Sequence, residues 1–151
     1  MDKIDRRKAS ALLSQQVTAA RYFFLHLAPQ RRAGLALAMG GRERCNPDYL
    51  VARSAYPFFG VELVVAGRGT VELDGRRHAL QAGVVFAYAP GTRCRIETDA
   101  RDTLVKHFVC FSGGGAAARL KTCGVAPGAV RMLAAHAEVT SVLEDLVREG
   151  Q

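Results

Sequence analysis

Glu62 is the residue whose type and position most suggest chemistry. It interrupts an apolar run, Phe59–Val65, with Val61 and Leu63 on either side. Under strand alternation Gly60, Glu62 and Val64 share one face. If that face is interior, the carboxylate needs hydrogen-bond partners or a raised pKa; the alternative is a solvated face. Lys106, in the run Thr103–Phe111, could hold an anion, and Arg53 carries five donors suited to hydroxyls or a carboxylate. The alternative for Arg53 is a surface ion pair. The usual catalytic signatures are missing. His26, His78, His107 and His136 are scattered and read as surface or core histidines. Gly67-Arg68-Gly69 lacks the third glycine of a dinucleotide fingerprint, and Gly113–Gly115 is not followed by Gly-Lys-Ser/Thr. There is no G-x-S-x-G elbow. The residues point to binding, not to turnover.

Short strands are expected to hold these side chains. From Tyr49 to Phe111, apolar runs alternate with turn signals every few residues. Phe59–Val65, Thr70–Leu73, Arg77–Leu80, Val84–Tyr88, Cys94–Thr98 and Thr103–Phe111 are expected strands, and Asp74-Gly75 is the strongest hairpin signal. Such spacing means a sandwich or a barrel, with no βαβ rhythm. Ahead of it, residues 5–20 predict a helix or arm with Ala9, Leu12, Leu13, Gln16 and Val17 near one face. Arg21–Leu27 is a strand-like aromatic run, and Gly34–Met39 is a second apolar run ended by Gly40-Gly41. Behind the strands, Ser112–Gly115 reads as a flexible exit, Ala116–Cys123 as a short helix and Val130–Leu133 as an edge strand. Val139, Val142, Leu143, Leu146 and Val147 then predict an amphipathic helix with one apolar face.

At 151 residues, 49% of them hydrophobic, the chain is long enough for one well-cored domain. No apolar stretch has membrane-spanning length and the charged N-terminus is no secretory signal, so a cytoplasmic protein is expected. Cys45, Cys94, Cys110 and Cys123 form no C-x-x-C pair and read as reduced, mostly buried thiols. The net charge is +7, with ten Lys or Arg against four Asp or Glu in residues 1–53. No nucleic-acid-binding motif accompanies this excess, which reads as a solvated basic surface.

Several strings recur together: Gly40-Gly41-Arg42-Glu43, Pro47-Asp48-Tyr49, Arg53, Tyr56-Pro57-Phe58-Phe59 and Gly67-x-Gly69. Gly83-Val84-Val85-Phe86, Pro90-Gly91 and Val109-Cys110-Phe111-Ser112-Gly113 follow. In order and spacing, over roughly residues 34–147, they resemble the N-terminal regulatory domain of AraC-type transcription regulators. The resemblance implies a mainly β, cupin-like double-stranded β-helix (a jelly-roll barrel) with a few short helices. It implies an N-terminal arm and first strand over residues 1–33, the barrel over 34–113, and a C-terminal helical segment over 114–151. It also implies a small-molecule effector, with a sugar the expected class, and a separate helix-turn-helix domain through which alone DNA is contacted. The apolar face of the 139–147 helix either packs on the barrel or pairs with a second copy in a homodimer, as helices of this region commonly do in that family.

Cupin enzymes hold a metal with an H-x-H pair, a downstream Glu and a second-motif His. Here Glu62 stands at the Glu position, but Tyr56 and Phe58 stand at the H-x-H positions and Cys94 at the remaining one. Three of four ligands are replaced, so neither a metal nor another cofactor is expected. The resemblance instead implies a ligand pocket at Arg53, Glu62, Lys106 and Phe108, with Tyr56, Tyr88 and Cys94 near its mouth. On strand 103–111, Val105, His107, Val109 and Phe111 look more core-like, whereas the resemblance places the Lys106/Phe108 face at the pocket. Tyr22, Phe23 and Phe24 are expected to fold over the mouth. The alternative function is a stand-alone cupin enzyme acting on a small sugar or acid.

Overall fold

A computed structural model describes residues 3–151; Met1 and Asp2 of the expected arm lie outside the described residues. The chain order is α1 (Lys3–Leu12), β1 (Val17–Phe24), β2 (Ala36–Cys45), β3 (Leu50–Arg53), β4 (Phe59–Ala66), β5 (Gly69–Leu73), β6 (Arg76–Leu80), β7 (Val84–Tyr88), β8 (Cys94–Thr98), β9 (Val105–Ser112), α2 (Ala116–Thr122), β10 (Val130–Met132) and α3 (His136–Gly150). The strands form a six-stranded sheet, β1-β2-β9-β4-β7-β10, facing a four-stranded one, β3-β8-β5-β6. Every strand pairing is antiparallel. This is the expected jelly roll.

Between the sheets lies a core that includes Met39, Phe58, Val64, Val71, Leu80, Phe86, Ile96 and Leu104. Burying such side chains contributes roughly 1.5–3 kcal/mol each, and this drives closure. A second cluster, Ala87, Phe111, Ala116 and Leu120, lies outside the six-stranded sheet beneath α2. The Asp74-Gly75 hairpin is present, with φ of 47° and 84° as a type I′ turn requires.

Three expectations along the chain are corrected. The expected 5–20 helix stops at Leu12, and residues from Val17 onward are strand. Gln16 is drawn out of helical geometry because its carbonyl accepts from Asn46 N (3.0 Å) and its side chain accepts from Leu50 N (3.0 Å). Tertiary pairing overrides local propensity there. Second, β2 does not end at Gly40-Gly41 but runs through to Cys45. The glycines are needed for close approach: a Cβ on Gly40 would lie 2.7 Å from the Phe23 ring, and one on Gly41 2.5 Å from the Tyr22 ring. Third, the glycine exit after Ser112 is tied down, since Gly114 N and Gly115 N donate to the carbonyls of Ala33 and Gly34, each at 2.9 Å. Strand β3 is too short and too mixed to read from sequence, yet it forms the edge that carries Arg53.

Helix α3 lies outside β1, β2 and β4. Its apolar face is divided: Val147 is buried, whereas Val139 and Val142 are 40% and 66% exposed. Glu144 fastens it, meeting Arg21 (2.6 Å), Arg42 (3.3 Å) and His107 Nε2 (2.8 Å). Burial pushes His107 below its usual value, against the opposite pull of Glu144. Burial would raise Glu144, but hydrogen bonds from Arg21 and His107 hold it below the usual range. His107 Nδ1 is buried with no partner, so protonating it strands a donor. Both shifts have the same sign: the unfolded chain binds protons first, so stability falls on acidification. The His107 contribution is present above pH 6.5 and lost below it, and that of Glu144 is lost as pH falls through 4.5 and below. Urea unfolding will therefore show a loss of stability between pH 7.5 and 5, and a shallower loss in His107→Gln.

Candidate functional site

Strand alternation decides what faces the barrel interior. On β4, Gly60, Glu62 and Val64 point inward, and Glu62 is 1% exposed, so it is not on a solvated face. On β9, Lys106, Phe108 and Cys110 point inward beside Leu104, which immediately precedes the strand. The opposite face is buried as well, with His107 on α3 and Phe111 on the α2 cluster. The core-like appearance of that second set comes from the helices outside the barrel.

The interior holds a charged network. Lys106 Nζ donates to Glu62 Oε1 (2.6 Å) and to Glu43 Oε2 (2.9 Å). The other oxygen of each carboxylate accepts from a tyrosine: Glu62 from Tyr88 OH and Glu43 from Tyr22 OH, both at 2.9 Å. Lys106 Nζ also lies 5.5 Å from the ring centres of Tyr49 and Phe108. Burial alone would lower the Lys106 pKa, but Glu43 and Glu62 outweigh it and hold the ammonium well above its ordinary value. Close to this network, the Arg53 guanidinium stacks 4.0 Å over the Tyr56 ring, and its Nη1 donates to the Leu12 carbonyl (3.3 Å). Tyr56 OH pairs with Cys110 Sγ at 3.3 Å.

Glu43, Tyr49, Arg53, Tyr56, Glu62, Tyr88, Lys106 and Phe108 line a small cavity together with Leu12, Leu13 and Ser14. Its volume is about 10 Å³, room for one water. Of the expected pocket residues, Arg53, Tyr56, Glu62, Tyr88, Lys106 and Phe108 all line it. Cys94 does not. It is buried in the wall, on β8, and borders a separate outer cleft with Arg93 and Arg95. Burial pushes its thiol up to about 12, and Cys45 and Cys110 likewise, so these three stay protonated at neutral pH and are poor nucleophiles. All four cysteines are free, and Cys123 is exposed.

Sequence reasoning names Glu43 only within a family string and Tyr22 only as part of a covering arm, and places neither in the interior network. The signal available was Glu43 following the apolar run and Gly40-Gly41, a carboxylate in a strand continuing past its glycines. The cavity is lined at this side by Leu12, the last residue of α1, with Leu13 and Ser14 after it, and not by Tyr22–Phe24. Tyr22 to Phe24 lie in β1: Tyr22 joins the interior network, and Phe23 meets the end of α3 beside Gly150. Gly60 is what lets Tyr88 reach Glu62, since a Cβ there would overlap the Tyr88 ring. Gly60→Ala is expected to lower stability by about 1–3 kcal/mol, measured by urea unfolding.

A catalytic metal does not fit this interior. The carboxylate at the ligand position, Glu62, is taken by Lys106 and Tyr88, and the positive charge between Glu43 and Glu62 is supplied by the ammonium. Tyr56 is committed to Cys110, and Phe58 is a fully buried apolar side chain. Among the described residues no group of three or more His, Cys, Asp or Glu is arranged to hold a metal ion. No helix among them is long and apolar enough to cross a membrane.

Fold and interior together define a cupin-like barrel lined by hydrogen-bonding and aromatic side chains. A family profile described as the AraC-like ligand binding domain matches residues 37–150, and the chain belongs to that family. No match to a curated protein was found. Among solved structures, YhaK from Escherichia coli aligns with TM-score 0.52 and 12% identity over 65% of this chain and 46% of its own. The plu4264 protein from Photorhabdus luminescens aligns with TM-score 0.50 and 7% identity over 72% and 85%. A Cupin 2 conserved barrel domain protein from Salinispora arenicola aligns with TM-score 0.46 and 18% identity over 81% and 95%. The chain thus spans about half the length of YhaK. At these identities the likeness concerns the fold alone.

Proposed function

We propose that this chain is the effector-sensing domain of an AraC-type transcription regulator, that it binds a small polar molecule in the barrel, and that it is not an enzyme. The observation that carries this reading is the interior itself. Donors and acceptors on Arg53, Lys106, Glu43 and Glu62 are set among Tyr49, Tyr56, Tyr88 and Phe108, and no metal set or activated nucleophile is present among the described residues. A few placed polar groups with aromatic faces suit a hydroxyl-bearing ligand, and a sugar or sugar acid is the class proposed. With room for one water, the cavity admits such a ligand only when Leu12–Ser14 move aside. Arg53 then exchanges the Leu12 carbonyl for a ligand oxygen. The response is passed to a helix-turn-helix domain, the DNA-contacting part of the regulator.

A thermal-shift screen against neutral sugars and sugar acids tests the reading, because a ligand that binds only the folded state raises its stability by mass action. At about 100 times its Kd the gain is roughly 2.7 kcal/mol. The competing reading, a cupin enzyme, predicts stoichiometric iron, manganese or zinc in the purified protein. Elemental analysis that finds any of these would overturn the proposal.

A further inference from the structure

Three neighbouring strands each carry two consecutive residues that face opposite ways. On β1 these are Arg21 and Tyr22, on β2 Arg42 and Glu43, and on β9 His107 and Lys106. The first member of each pair lies on one cross-strand row, Arg21 opposite Arg42 and Arg42 opposite His107. Directly opposed residues share a face, and this row faces α3. Its three side chains converge on a single carboxylate, Glu144. The second members, Tyr22, Glu43 and Lys106, face the interior and are joined by hydrogen bonds of 2.9 Å each. The attachment of α3 and the interior network are thus borne by adjacent peptide units of the same three strands. A change in strand twist or separation on one side is a change on the other.

We propose that β1, β2 and β9 couple the barrel interior to α3, so that breaking or remaking the Tyr22–Glu43–Lys106 bonds alters how firmly Glu144 holds the helix. Where a ligand does the breaking, the proposal rests on the function proposed above. The coupling itself is a property of the ligand-free chain and is tested there, so the two can fail separately.

Two conservative variants, Tyr22→Phe and Glu43→Gln, remove interior bonds without touching the outer row. Hydrogen exchange of the α3 amides is the readout, with Glu144→Gln marking the fully unfastened helix. The expected result is exchange across residues 136–150 faster by about tenfold in either variant, with the β5–β6 amides unchanged. Unchanged α3 exchange overturns the proposal, and so does an equal rise in α3 and β5–β6, which marks general destabilisation. A double-mutant cycle of Tyr22→Phe with Glu144→Gln supplies the second measurement. Coupled sites will depart from the product of the single effects on the unfolding constant by more than about threefold. Simple multiplication overturns the coupling, and Tyr22→Phe carries both measurements if Glu43→Gln fails to fold.

Discussion

Lys106→Met is expected to lower the unfolding free energy by about 3–5 kcal/mol, the usual cost of removing one partner from a buried ion pair. Lys106 and both of its carboxylates are no more than 3% exposed. Removing the ammonium leaves Glu43 and Glu62 facing each other with no cation between them. In a domain of this size the change corresponds to a fall in Tm of roughly 6–20 °C. The origin of the loss can be separated from simple cavity formation. Adding Glu43→Gln and Glu62→Gln to Lys106→Met removes the stranded charges while keeping acceptors for Tyr22 and Tyr88. The triple variant should recover most of the loss, since replacing a whole buried ionic cluster is often close to neutral. Urea unfolding of the single and triple variants checks both statements. A triple variant no more stable than Lys106→Met would show that packing, not charge, accounts for the loss.

Arg53→Ala has the second large effect, on binding more than on folding. Arg53 makes one hydrogen bond to a protein group, the Leu12 carbonyl, and no carboxylate among the described residues lies within ion-pair distance. Its remaining donors are available to a ligand once Leu12–Ser14 move. A hydrogen bond to a charged group is worth about 1.5–3 kcal/mol, which is a loss of about 10- to 150-fold in affinity. Calorimetric titration of wild type and variant, with any ligand that raises the Tm, measures this directly. Tyr56 also loses the cation over its ring, so the variant will not be neutral for stability, but that loss is the smaller of the two.

Much of this was legible in the sequence because β structure writes itself in period-two alternation and in turn residues. Asp74-Gly75, Pro90-Gly91 and the run Val84–Tyr88 set strand edges that the structure keeps. The N-terminal third was harder. Residues 13–20 have the composition of a helix, but the bonds of Gln16 and Thr18 to Asn46 and Leu50, and the pairing of Val17–Ala20 with Cys45–Glu43 of β2, take the chain out of it. Those partners lie about thirty residues away and leave no local trace. The site was partly legible for the same reason. Glu62 and Lys106 stand out as charges within apolar strands, and both point inward. Glu43 and Tyr22 were hidden because their role depends on β1 and β2 pairing in a register that Gly40 and Gly41 permit. Cys94 went the other way: alternation places it on the inner face of β8, but that strand lies in the opposite sheet, and its thiol ends in the wall.

As proposed, the barrel is a receptor pocket whose polar residues read a small ligand. The most direct measurement is the thermal shift of wild type and Arg53→Ala against the same panel of sugars and sugar acids. One chemical class is expected to raise the wild-type Tm by roughly 5–10 °C at saturating concentration, and at the same concentration the rise is much smaller or absent in Arg53→Ala. A panel that leaves wild type unmoved, or that moves both proteins equally, would contradict it.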